Sequence, residues 1–214
     1  MVIGLPLINL SHKTCEGCLF GKQSRNNFKN SGLQRAKKPL EVVYSDVCGP
    51  LNSNSLGGNR YFLTFVDEFT RKIWIYLLKE KCEVFERFVK FCAKVERQSG
   101  YALTIFINDG GVEFNSKELD EFCVAKGIEH AVTAPYTPHH NGIAERRNRT
   151  LLDMARCILK GKGLPHSFWG EAVTIAAYIF NRCPTKKLEA AVLETIWSGL
   201  KPTISHLKIF GSLC

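Results

Sequence analysis

The chain has 214 residues, 45% of them hydrophobic and 23% charged, with a formal net charge of +9. That composition argues against a chain disordered throughout and fits one globular domain with a short appendage. Nine cysteines, an odd number scattered through apolar text, argue against a disulfide scaffold; Cys82, Cys92, Cys123, Cys157 and Cys183 read as reduced core thiols.

The charge is unevenly placed. Across residues 1–40 seven basic side chains (Lys13, Lys22, Arg25, Lys29, Arg35, Lys37, Lys38) face a single acid, Glu16, so +6 of the +9 lies there. A basic arm ahead of a nearly balanced domain points to a polyanion, DNA or RNA, unless it is only a solvated linker. No apolar run approaches the roughly 20 residues of a membrane-spanning helix, and residues 1–10 lack the marks of a secretory signal. An intracellular protein with no membrane partner is expected.

Residues 1–39 are loop-rich and end at Lys37-Lys38-Pro39. Residues 40–47 (LEVVYSDV) alternate and are β-branched, which predicts a strand; Gly49-Pro50 and the Asn/Ser/Gly stretch to Gly58 predict a turn. Residues 60–66 (RYFLTFV) and 72–78 (KIWIYLL) are two more strands, and the short connections imply an antiparallel meander. Over residues 82–98, Val84, Phe85, Phe88, Phe91, Cys92 and Val95 fall at helical spacing, and Ser99-Gly100 is a stop signal. Residues 103–107 form a short apolar strand that leads into Asp109. Residues 116–126 form a helix with Ser116 as its cap and Gly127 as its end. A fifth strand covers 128–133, a turn-rich loop (PYTPHHNG) covers 135–142, and helices cover 143–160 and 167–182.

The order β-β-β-α-β-α-β-α-α describes an α/β fold: a mixed five-stranded sheet flanked by helices, with a short basic N-terminal extension. Residues 1–39 are assigned to that extension, 40–185 to the core domain and 186–214 to the start of a further region.

Asp46 sits near the end of the first strand, Asp109 just past the fourth, and Glu145 in the first turn of the helix after the turn-rich loop. If the first and fourth strands are neighbours, the ends converge. A carboxylate at each end plus one from a helix suits two divalent ions about 4 Å apart, held by shared acidic oxygens. Three acids among twenty are nevertheless common, and the pattern alone does not single out a metal site.

The surrounding text is more specific. Thirty-five residues lie between Asp109 and Glu145, and the flanking blocks read YSDVCGPL, FVDEFTRKIWIYLLKEK, PYTPHHNGIAERRNRTLLDMAR, LPHSFWGEAVTIAAYIFNRCP and KPTISHLKIFG. Together they resemble the integrase region of copia-type LTR retrotransposon Pol polyproteins, within the retroviral integrase core superfamily, from about Cys15 to the C-terminus. The resemblance implies a ribonuclease-H-like fold. It also implies DNA 3′-end processing and strand transfer by Asp46, Asp109 and Glu145 with two Mg²⁺ or Mn²⁺ ions. The implied partners are element ends and target DNA, the implied assembly is a homo-multimer, and the implied sites are the nucleus for activity and a cytoplasmic particle before that. The chain is expected to be a piece of a longer polyprotein.

Family members usually carry D-x-G-G-E-F after the second acid, whereas Val112 stands here at the second of those glycines. Were positive φ or close backbone approach required there, a β-branched residue would cost on the order of 1 to 3 kcal/mol or tilt Asp109, and a catalytically decayed nucleic-acid-binding remnant is the alternative reading.

Cys15 and Cys18 resemble half of the His-His-Cys-Cys zinc module that precedes such cores. Two cysteines supply half a tetrahedral set, so Zn²⁺ is expected only in the full-length parent, with His12 a weak substitute ligand. On the helix of Glu145, the cations Arg146, Arg147, Arg149, Arg156 and Lys160 are expected to project away from the apolar stripe of Leu151, Met154, Ala155 and Ile158. They read either as phosphate contacts along DNA or as a solvated face with a Glu145–Arg149 ion pair. His139, His140 and Asn141 read as orienting or phosphate-facing groups, with His139 and Asn141 among the DNA contacts. Asp67, in a turn, reads as a local hydrogen-bond acceptor and not a fourth catalytic acid. Trp74, Phe168, Trp169 and Trp197 read as packing aromatics.

Overall fold

A computed structural model describes residues 35–132, 142–184 and 191–211. Cys15, Cys18, His12, His139, His140 and Asn141 lie outside those residues.

Strands β1 (Val42–Cys48), β2 (Tyr61–Asp67) and β3 (Ile73–Leu78) form the meander, each antiparallel to the next. Helix α1 (Val84–Ser99) follows, then β4 (Ile105–Asn108), α2 (Lys117–Lys126) and β5 (Glu129–Val132). Two helices close the layer, α3 (Gly142–Lys162) and α4 (Trp169–Arg182), and a six-residue helix α5 (Leu193–Ser198) comes after them. The sheet order is β3-β2-β1-β4-β5, with β4 parallel to both β1 and β5. This is the mixed five-stranded, ribonuclease-H-like arrangement expected.

The punctuation works as the residues suggest. The Ser116 hydroxyl accepts the Leu119 amide at 3.2 Å, and Gly100 and Gly127 end their helices in the left-handed region. Alternation along β1 sends its side chains to two separate cores. Val43 joins α1 and α2 on one face, where Phe65 stacks on Phe91 at 4.1 Å and Phe88 on Phe106 at 4.3 Å. Tyr44 joins α3 and α4 on the other, with Phe62, Val66, Leu151 and Trp169. Two aromatic stacks at one focus add about 0.5–1.5 kcal/mol each beyond area burial.

Edge strand β3 is secured by side chains. Asn181 on α4 accepts the Ile73 amide at 2.9 Å and donates to the Ile73 carbonyl at 2.7 Å, filling one ladder position as a strand would. The same edge holds α5: Lys72 lies 5.5 Å from the Trp74 ring and 5.3 Å from Trp197, and its ammonium donates to Glu194 at 2.8 Å. Trp74 and Trp197 meet edge-on at 4.8 Å, so both are packing aromatics, as is Trp169, 6% exposed. Burial pulls the Lys72 ammonium below its ordinary pKa, and Glu194 opposes that shift.

The cysteines only partly follow expectation. Cys92 and Cys123 are buried and free, but Cys82 and Cys183 are exposed. Cys82 precedes α1 in a short 3-10 turn (Lys81–Glu83), outside the apolar stripe, and Cys183 is the residue that ends α4.

Candidate active site

The pairing of β1 with β4 places the first two acids. Val42 faces Ile105, Val43 faces Phe106 and Tyr44 faces Ile107, and the same offset carried forward sets Asp46 opposite Asp109. Adjacent strands stand about 4.8 Å apart, and equal parity sends both side chains to the same face. That face is the one covered by α3, because Tyr44 and Ile107 pack with its residues. Glu145 enters from the first turn of α3.

Electrostatics register the convergence. Burial, then the Asp109 and Glu145 carboxylates, push the Asp46 carboxyl up to about 7, while a hydrogen bond from Asn148 opposes the rise. Asp109 and Glu145 are themselves exposed. Among the described residues, no three His, Cys, Asp or Glu side chains are gathered closely enough to hold an ion as they stand. The three side chains would fit a hard divalent cation: every candidate donor atom is a carboxylate oxygen, and two carboxylates bear on a third that has lost part of its solvation.

Asn148 belongs to this site and carries no sequence signal, being a neutral amide in a run of charges. Only 4% exposed, it lies three residues beyond Glu145, on the same helix face. Its Nδ2 donates to Asp46 Oδ2 at 2.9 Å, and its Oδ1 accepts from the Thr64 hydroxyl at 2.7 Å. The Asp46 carboxylate accepts when ionised, which turns the amide NH₂ toward it, and the Val47 backbone N–H donates to the same carboxylate. Asn148→Ala is expected to weaken Mn²⁺ binding roughly 10- to 100-fold, as loss of an outer hydrogen bond to a metal ligand does. Calorimetric Mn²⁺ titration checks it, and an unchanged affinity would remove Asn148 from the site.

Lys81 is a second residue missed. Its ammonium pairs with Glu113 at 2.8 Å, and Asp109 contributes to holding its pKa above the ordinary value. The cation is held by Glu113, and its field reaches the second acid from before α1, far away in sequence.

The expectation about Val112 does not hold. Val112 opens a short 3-10 turn (Val112–Phe114), is not among the residues with positive φ and is 83% exposed. The left-handed position is Gly110, at φ +73°, where a Cβ would stand 2.5 Å from Val132 Cγ1. Glycine is present where the backbone requires it, and the β-branched residue sits where it costs nothing.

The cations of α3 divide. Arg147 does not project from the helix: its guanidinium lies 4.7 Å from the Phe180 ring on α4, and burial lowers its pKa to about 10. It is withdrawn as a DNA contact, because the neighbouring helix covers that face. Arg156 is exposed but hydrogen-bonds Asp153 and the Leu152 carbonyl. Arg149 and Lys160 are exposed, and Arg146 folds back over Gly142, 2.7 Å from where a Cβ would stand. Among the described residues Glu145 and Arg149 form no ion pair, so the plain salt-bridge reading of that face is not what the helix adopts. Asp67 accepts from Leu40 and Thr70 and touches none of the trio's residues through these bonds.

Among the described residues no helix is long and apolar enough to cross a membrane. Residues 36–138 match the integrase core domain family. The chain is 48% identical over 199 residues to the retrovirus-related Pol polyprotein from transposon TNT 1-94 of Nicotiana tabacum, covering 93% of the chain. It is 36% identical over 213 residues to that from transposon RE2 of Arabidopsis thaliana, covering 98% of it. The chain spans 15% and 14% of those relatives' lengths. Among solved structures, the HTLV-2 integrase catalytic core domain in complex with magnesium (trimeric form) superposes with a TM-score of 0.57 at 19% identity, covering 76% of this chain and 99% of that one. A simian T-cell lymphotropic virus intasome, in complex with PP2A regulatory subunit B56 gamma, superposes at 0.65 with 17% identity, covering 94% and 69%. These two likenesses speak for the fold alone. The sequence relatives and the family match make this chain a member of the copia-type retrotransposon Pol polyprotein family, carrying its integrase core domain.

Proposed function

We propose that this integrase core cuts and joins DNA strands at a site made of Asp46, Asp109 and Glu145, with two Mg²⁺ or Mn²⁺ ions. The observation that carries this reading is the register that sets Asp46 against Asp109, together with the pressure Asp109 and Glu145 exert on the Asp46 carboxyl. When bound, the ions supply an activated attacking oxygen and stabilise the leaving oxygen of an in-line displacement. Asp46 and Asp109 would hold them from the sheet, and Glu145 from α3. Asn148 orients Asp46, and the first-turn position of Glu145 lets its carboxylate approach from the end of the helix. None of the three carboxylates forms a covalent bond to the substrate in this scheme.

The substrate is DNA: the element's own ends and a target duplex, bound mainly through phosphates. Arg146, Arg149, Arg156 and Lys160 are the proposed contacts on α3, and His139 and Asn141 those that precede it in the sequence. Joining two DNA ends to one target requires a homo-multimer, acting in the nucleus after passage through a cytoplasmic particle. Cys15 and Cys18 would supply two of the four ligands of a Zn²⁺ ion.

Purified protein, Mn²⁺ and a labelled oligonucleotide carrying the element's end test the reading. Strand-joined product is expected, and Glu145→Gln should abolish it at unchanged oligonucleotide affinity. Joining that persists in Glu145→Gln sinks the site assignment. Salt-sensitive binding without any cleavage in the parent chain would leave a nucleic-acid-binding remnant in place of an enzyme.

A further inference from the structure

The turn that carries Asp109 is tied to the surface of α2 through a chain of side chains that the proposed chemistry does not use. The Gly110 amide donates to Asn108 Oδ1 at 2.9 Å. A backbone N–H can only donate, so the amide oxygen of Asn108 faces Gly110 and its Nδ2 faces His130, 2.7 Å from Nε2. An amide NH₂ also only donates, so Nε2 of His130 is the bare nitrogen and the ring proton sits on Nδ1. Nδ1 in turn lies 2.8 Å from Asp120 Oδ1 and donates to it. One backbone N–H thereby fixes the amide orientation, the imidazole tautomer and the direction of every bond in the chain.

The surroundings make these groups fit for holding something still. Asn108 is fully buried, directly before Asp109. The His130 ring stacks on Phe106 at 5.6 Å and 24°, and its side chain is 12% exposed. Asp120, on α2, is 60% exposed at its side chain. The far side of the turn is held as well, by Asn115 Nδ2 donating to the Gly110 carbonyl at 3.0 Å. Gly110 adopts φ +73° against Val132, so the turn has little room to relax. Asp109 accepts the Gly111 amide at 3.1 Å, and its position follows that of the turn.

We infer that His130 is a positioning residue for Asp109, acting through Asn108 on the Gly110 amide, with Asp120 anchoring the ring by accepting its Nδ1–H. The inference rests on the reading of Asp109 as a metal-holding carboxylate. His130 touches neither substrate nor ion; it holds the buried amide whose oxygen holds the turn.

Three measurements on the 214-residue chain decide it. Long-range ¹H–¹⁵N correlation of the parent protein should show His130 protonated on Nδ1 and bare on Nε2, and the opposite tautomer overturns the inference without any variant being made. His130→Phe keeps a ring against Phe106 and deletes both nitrogens. Its Gly110 amide should exchange at least tenfold faster, and unchanged exchange overturns the inference. Calorimetric Mn²⁺ affinity should fall roughly tenfold in the same variant, in line with loss of an outer-shell partner. Asp109→Asn separates the two readings: if it binds Mn²⁺ like the parent, the metal site has failed while the Gly110 result still judges His130. If Asp109→Asn loses Mn²⁺ and His130→Phe does not, the positioning role is wrong. Should His130→Phe not fold, Asp120→Ala, at an exposed carboxylate, takes its place: it removes the acceptor of the Nδ1–H, Gly110 exchange should rise, and exchange unchanged in it overturns the inference.

Discussion

Asp46→Asn should make the metal-free chain more stable at pH 8 while lowering strand joining by about 10³-fold or more. Both effects have one origin. Asp46 is partly buried on the α3 face, and its carboxylate is opposed first by lost solvation and then by Asp109 and Glu145. Its pKa stands near 7 in the folded chain against an ordinary value of 3.8. Between those values the native state keeps a proton that the unfolded chain releases. The stabilisation is therefore complete below about pH 4 and is lost as pH rises through about 7. By pH 8 the loss is on the order of 2–4 kcal/mol. Asparagine has no charge to oppose, and its carbonyl oxygen still accepts the Asn148 amide.

Differential scanning calorimetry in chelator should place the Asp46→Asn variant about 5–10 °C above the parent at pH 8, with the gap narrowing toward pH 5. In the parent, Mg²⁺ should raise Tm more at pH 8 than at pH 6, because ion and proton compete for the same oxygen. A variant less stable than the parent at pH 8 would mean that Asp46 is not under the pressure described, and the electrostatic basis of the site would go with it.

The convergence of Asp46 and Asp109 was legible because strand alternation and the first–fourth strand adjacency are local and topological facts that a pattern can carry, while the choice of these acids with Glu145 rested on the motif text around them. What surrounds them was not. Asn148 is an uncharged amide whose value comes from a threonine 84 residues earlier. Arg147 read as one of five outward cations because helical spacing assigns faces to a single helix, and only the presence of Phe180 on α4 turns one of those faces inward. Helix α5 is six residues long, too short for any period to show, and its docking depends on Lys72 meeting Trp197 and Glu194 from another part of the chain. Val112 failed in the opposite direction: the motif located a glycine-rich turn but not which of its residues takes positive φ. Backbone geometry assigns that to Gly110.

Asp67→Ala should destabilise the chain by about 3–5 kcal/mol, a fall in Tm on the order of 10 °C, without touching the chemistry. The residue is fully buried, yet three donors converge on it. The Leu40 amide reaches Oδ1 at 2.8 Å, and the Thr70 amide and hydroxyl reach Oδ2 at 2.7 and 2.6 Å. Leu40 is itself fully buried at φ +59°, an uncommon conformation for a branched residue, and the bond from its amide is part of what holds it there. Thr70 passes the connection on by accepting the Lys72 amide at 3.2 Å, at the start of β3. One carboxylate thus ties the entry to β1, the β2–β3 turn and the residue that leads into the edge strand. Burial raises its pKa even against these bonds, so the charge is costly, but removing it leaves two backbone amides and a hydroxyl unmatched in a dry interior. Asp67→Asn should recover little, because its NH₂ would face a donor at whichever end it took. Chemical denaturation of both variants, read beside joining per folded molecule, separates this role from catalysis. Joining lost in a variant whose stability is unchanged would make Asp67 a fourth acid of the site after all.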